Sequence, residues 1–274
     1  MIRKVLAAAA ATGVAGLAVG LHSMVVAPRE LRVRRRRVAI PGLPSGFENY
    51  QILHISDTHL GALGSGAEQV LAVASLRVDL VVHTGDMIES GWYSEACAQL
   101  LGTLRAPDGV ACVLGNHDYV GSWLRGKSLD LVDRLEARGV SVLINAAQPL
   151  ERDGDQLWLV GLDDPYRGRP DAQRAFANVP ADAVVLLLAH SPDSLLAPLP
   201  RPVSLAMTGH THGGQVRTPW GALITRTRQR YRDVIGMQTV NGTRVHMSAG
   251  LGSTIPIRFL CPPEATVLHL TRAP

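Results

Sequence analysis

The chain has 274 residues, 46% of them hydrophobic, enough for one large domain with a sizeable core. Its three cysteines, Cys97, Cys112 and Cys261, are scattered without CxxC spacing, which argues against a disulfide framework or a cysteine zinc site. The net charge of +4 comes largely from Arg29, Arg32 and Arg34–Arg37, and with 4% aromatic residues the chain lacks the stacking platforms of a single-strand binder, so no nucleic-acid partner is expected.

The first element is the uncharged stretch Val5–Leu21, which follows Arg3-Lys4. It reads as a signal anchor at the lower edge of spanning length, or as a cleaved signal with Ala18-Val19-Gly20 as a mediocre cleavage site. Without a polar face it does not suit an amphipathic core helix. Membrane association is therefore expected. The arginines that follow would keep the rest of the chain cytoplasmic by the positive-inside tendency, unless they belong to a folded strand, so the side of the membrane is left open.

Residues 29–50 form a basic connector, in which Leu31, Val33, Val38 and Ile40 alternate as in an edge strand before the turn Pro41-Gly42-Leu43-Pro44. Apolar runs then predict strands over Gln51–Ser56, Val78–His83, Val110–Leu114, Val140–Ile144, Leu157–Leu162, Val184–Ala189 and Leu205–Thr208. Helical spacing predicts Ala67–Leu76, Tyr93–Leu104 and Leu129–Arg138, the last closed by Gly139. Strands alternate with helices in the first half, and strands and turns dominate the second. That pattern implies two packed sheets flanked by helices, with strand ends converging at one edge.

Chemistry-bearing residues fall just after these strands: Asp57 and His59, Asp86, Asn116-His117-Asp118, His190, and His210 with His212. Taken singly, each motif reads more simply as a capped turn or a buried core histidine. In series they are hard and borderline donors fit for two divalent cations, which can activate water for attack on phosphorus.

The ordered set Asp-x-His, Gly-Asp, Gly-Asn-His-Asp, His and Gly-His-x-His resembles the calcineurin-like metallophosphoesterases. Ile40–Pro44, Gly161–Pro165, Ala189–Asp193, Gly209–Gln215 and Gly250–Arg258 resemble the bacterial membrane-associated YkuE- and YaeI-like branch, and the likeness covers roughly residues 40 to 270. It implies an α/β fold, a four-layer α/β/β/α sandwich occupying residues 51–274, with residues 1–28 as a signal anchor or signal-like segment and 29–50 as connector and edge strand. By the same resemblance, Asp57, His59 and His212 hold one metal, Asn116, His190 and His210 the second, and Asp86 bridges them. Mn is the expected metal, with Fe or Zn as alternatives. His117 is the general acid of a phosphodiesterase or pyrophosphatase, and Asp118 orients it.

No arginine follows Asp86 as in the protein phosphatases of the superfamily, and Asp118 stands where they carry glutamate, which disfavours a phosphoprotein substrate. The expected substrate is a phosphate-ester small molecule or a lipid-linked one such as UDP-2,3-diacylglucosamine, at the bacterial inner membrane, with no obligate protein partner. The competing readings are a catalytically silent membrane-tethered metal-binding scaffold and a general soluble-nucleotide phosphodiesterase. Arg125, Lys127, Arg167, Arg169 and Arg258 are candidate phosphate clamps.

Overall fold

Among the described residues, strands with apolar side chains on at least one face build two sheets of six strands each. In the computed structural model, which describes residues 2–119, 128–225, 227–229, 231 and 233–273, the first sheet contains β1 (Arg32–Ile40), β2 (Gln51–Ile55), β3 (Leu80–His83), β4 (Val110–Cys112), β5 (Val140–Val142) and β14 (Glu264–Arg272). Their order across the sheet is β1-β14-β2-β3-β4-β5, parallel except where β14 meets β2. The second sheet contains β6 (Ala146–Arg152), β7 (Asp155–Gly161), β8 (Val185–Leu188), β9 (Leu205–Thr208), β12 (Gly236–Val240) and β13 (Thr243–Met247), in the order β12-β13-β9-β8-β7-β6. A small hairpin, β10 (Arg217–Thr218) with β11 (Gly221–Ala222), stands apart.

Alternation sorts the side chains into three apolar layers. Ile52, Leu80, Val82, Leu186, Leu188 and Met207 fill the space between the sheets. Leu53, Ile55 and Val81 face the other way and pack with helices α2 (Ala67–Val73), α3 (Ser94–Leu101) and α4 (Ser128–Glu136). Val185, Leu187 and Val245 cover the outer face of the second sheet together with Phe176 of α5 (Ala172–Phe176). The four layers are thus present but unequal, because the last one has only a five-residue helix.

The basic run is a strand of this sheet. Each residue of β1 pairs with β14, Val38 and Ile40 are buried, and Arg34 is ion-paired with Glu264. It is not a free juxtamembrane segment, so the basis for assigning a membrane side is lost. Ahead of it lies α1 (Ile2–Leu21). Among the described residues no helix is long and apolar enough to cross a membrane, so the spanning anchor expected over Val5–Leu21 is not supported.

Candidate metal centre

The donors sit where buried parallel strands run out, and the chain must turn sharply there to aim them inward. Asp57 and His59 follow β2, Asp86 follows β3, Asn116 and His117 follow β4, His190 follows β8, and His210 and His212 follow β9. Five of them adopt the left-handed backbone region: Asp57 at φ 53°, His59 at 47°, Asp86 at 54°, His210 at 67° and His212 at 50°. Residues with a Cβ rarely do so, and where they do the strain is concentrated at functional sites. Two glycines allow the loops to close up. A Cβ on Gly115 would lie 2.3 Å from Asp86 Oδ1, and one on Gly209 would lie 1.8 Å from Ser56 Oγ.

The side chains converge into two groups that share Asp86. One is Asp57, His59, Asp86 and His212, and the other is Asp86, His190 and His210; within each, the donor atoms lie within 4.8 Å of one another. The tautomers are set from behind. His212 Nδ1 donates to the Gly252 carbonyl at 3.1 Å, His59 Nδ1 to Glu89 at 2.7 Å, and His190 Nδ1 to the Thr84 carbonyl at 2.7 Å. This leaves the Nε2 lone pairs of His59 and His212 facing each other at 3.3 Å. Two lone pairs so placed repel unless a cation lies between them, and hydrogen bonds of this kind are the usual support of metal-binding imidazoles.

Charge agrees with geometry. Burial would raise the Asp86 carboxyl, but His190 at 3.3 Å, together with His59 and His117, holds the group well below the carboxylate range. Burial would likewise lower His190, yet Asp86 raises it to about 10. Asp57 is raised by burial, and His212 is lowered by burial and by His59. Asn116 supplies an independent sign: its Oδ1 is buried without a hydrogen-bond partner. An orphaned acceptor of this kind calls for an unseen donor or cation. The set therefore fits two divalent ions, with imidazole nitrogens and carboxylate oxygens that suit Mn, Fe or Zn better than Ca.

His117 lies at the edge of the cluster, its ring edge-on to His59 at 4.8 Å and its side chain one-quarter exposed. The resemblance implies Asp118 as its partner. The structure instead places Glu89 there: Nδ1 of His117 bonds Glu89 Oε2 at 3.0 Å. Asp118 is committed elsewhere, accepting from the backbone N–H groups of Asp86, Met87, Ile88 and Gly115 at 2.8–3.1 Å. It ties the β3 and β4 loops together, and burial, with Asp86 nearby, raises it to about 7. Glu89 was not singled out from sequence. The available signal was its spacing, three residues after Asp86, which returns a side chain to the same side of a tight loop.

The expected phosphate clamps fare unevenly. Arg258 is buried and donates to the carbonyls of Ala249, Gly250, Gly252 and Cys261, so it braces the loop behind His212 and does not face a substrate. Arg125 and Lys127 lie outside the described residues. Arg167 is exposed. Arg169 lines a cavity of about 840 Å³ together with Arg174 and Arg228. Arg228 of that lining also lies over the Tyr166 ring, which stacks on His210 at 4.8 Å.

Residues 50–214 match the family described as calcineurin-like phosphoesterase. The chain is 33% identical over 260 residues to the uncharacterized metallophosphoesterase YkuE of Bacillus subtilis, covering 91% of this chain and 88% of that one. It is 30% identical to the phosphodiesterase YaeI of Escherichia coli, over 81% of this chain and 82% of the relative. It is 24% identical to the UDP-2,3-diacylglucosamine pyrophosphatase LpxG of Chlamydia trachomatis, over 90% and 91%. With the fold, the strand-end donors and these matches in agreement, the chain belongs to the calcineurin-like metallophosphoesterases.

Proposed function

We propose that this phosphoric-ester hydrolase cleaves phosphodiester or pyrophosphate bonds in a lipid-linked substrate at a membrane surface, with residues 51–274 as the catalytic unit and residues 29–50 completing its sheet. The observation that carries the hydrolytic reading is the single buried carboxylate of Asp86, shared by two preformed donor groups. In this reading Asp57, His59 and His212 hold one cation, Asn116, His190 and His210 hold the other, Asp86 serves both, and Mn is the preferred metal. When bound, the two ions supply the positive charge that acidifies water and neutralises phosphoryl oxygens. The lipid-linked part is supported by the likeness to the Chlamydia UDP-2,3-diacylglucosamine pyrophosphatase, whose substrate carries acyl chains.

His117 supplies the proton for the departing oxygen, and Glu89 fixes the imidazole so that its other nitrogen is presented to the substrate. Burial alone would lower His117, but the Glu89 hydrogen bond and then Asp86 raise it above the usual histidine value. The proton is therefore retained to higher pH, and turnover should fall as pH rises through that raised value. Glu89→Gln keeps the shape and removes the anion. The alkaline limit of kcat/KM should move to lower pH in that variant, and an unmoved limit would mean that another group holds the proton.

Hydrolysis of bis(p-nitrophenyl) phosphate with added Mn²⁺ tests the whole reading. Turnover that is abolished by a chelator and restored by metal is expected. Absent or chelator-insensitive turnover, in protein shown to be folded and metal-loaded, would leave a metal-binding scaffold instead.

A further inference from the structure

Four loops near the donors carry exposed apolar side chains that the hydrolytic chemistry does not use. Leu63 follows His59, Trp92 follows Glu89, Trp220 tips the hairpin after His212, and Ile255 and Leu260 lie beyond Gly252. Trp220 is 93% exposed and Leu63 87%. Scattered exposed apolar residues are ordinary, but a set carried on the loops that also carry the donors marks a binding surface.

Between the hairpin and the 255–257 segment runs a groove of about 170 Å³, lined by Val216, Ile224, Ile255 and Ile257. Thr211 and His212 also form its wall, so an apolar chain lying in it would be attached close to the phosphorus held by the centre. The amino-terminal segment reaches the same rim. Met24 lines a neighbouring concavity with Leu63 and Pro256, and the Ser23 carbonyl accepts from the Arg258 N–H at 2.8 Å. Val14, Leu17, Leu21, Val25 and Val26 of that segment are exposed, and the exposed cations Arg29 and Arg32 follow them.

We infer that this catalytic face rests on an anionic bilayer and that the groove beside His212 receives a hydrocarbon chain of the substrate. The inference rests on the hydrolase reading and adds the surface and the subsite. Tryptophan is at home in the headgroup region, where its ring is buried and its N–H stays wet, and leucine side chains gain by leaving water. Arginines beside such a surface are drawn to anionic headgroups. The face thus supplies all three components of interfacial binding without a membrane-crossing helix.

The experiment has two arms. In the first, n-alkyl phosphates inhibit turnover of bis(p-nitrophenyl) phosphate by the full chain, and octyl phosphate should inhibit on the order of 100-fold more tightly than methyl phosphate, as burial of a few methylenes requires. Ile224→Ser with Ile257→Ser should reduce that ratio to below about 10; Val216→Ser serves if the pair fails to fold. The ratio is taken within each variant, so a change in overall activity does not enter it. Equal inhibition by all chain lengths in the unsubstituted protein would overturn the subsite.

In the second arm, the full chain should sediment with phosphatidylglycerol vesicles, and Trp220→Ser with Leu63→Ser should weaken that binding about tenfold or more. No vesicle binding, or self-association lost in the same variants, would assign the face to another role and overturn the docking. Because this arm needs no turnover, failure of the hydrolase reading shows in the first arm alone.

Discussion

Asp86→Asn should strip the protein of both metal ions and take turnover to background while the fold survives. The substitution keeps the size of the side chain and its ability to accept from the His117 backbone N–H, which reaches Asp86 Oδ1 at 2.8 Å. It removes the buried negative charge that faces His190 Nε2 at 3.3 Å and His59 Nε2 at 3.7 Å. Both donor groups include this one carboxylate, so neither is left complete. Loss of a partner outside the coordination shell already costs about 10–100-fold in metal affinity, and loss of a shared donor should exceed that range. Metal analysis beside circular dichroism checks it. Two equivalents of metal retained by folded Asp86→Asn would show that the bridge is somewhere else.

His117→Ala should behave differently, losing about 10²–10⁴-fold in kcat while keeping both ions. The loss should be largest on a diester with a poor leaving group, since an aryl oxide departs with little help from a proton. His59, Glu89 and His117 also come within ligand distance of one another, which makes the metal count the deciding measurement. If His117→Ala loses metal as Asp86→Asn does, His117 is a ligand and the proton comes from another group.

Much of this site could be read from the sequence because each donor is announced by a short apolar run, and runs buried on both faces have few alternatives to a central strand. Asp57, Asp86, His190 and His210 all follow such runs and all arrive in the cluster. What escaped depends on how loops fold back. Glu89 reaches two imidazoles from a segment that Asp118 holds by the N–H groups of Met87 and Ile88 and that pairs with Leu60 through its backbone. The same commitment removes Asp118 from His117, a competition between backbone and side-chain partners that residue order does not reveal.

The later strands were also missed. In β14 the alternation is present, with Val267 on one face and Leu268 and Leu270 on the other. Its place between β1 and β2 is a pairing across more than two hundred residues, which no local pattern encodes. Arg258 misled for the opposite reason. It lies near a site that would bind phosphate, but its guanidinium is enclosed by four carbonyls that need a donor.

The five donors held at positive φ make the centre a place where folding and activity pull in opposite directions. Each costs roughly 1 kcal/mol or more against a relaxed backbone, on the order of 5 kcal/mol together. That sum rivals the whole net stability of an ordinary domain. Glycine at Asp57, His59, Asp86, His210 or His212 would release that cost and abolish a donor in the same step. Random mutagenesis selected for heat resistance alone should therefore drift toward inert proteins, with the glycines accumulating at the positions the chemistry uses. Any search for a hardier version of this enzyme has to select on turnover as well.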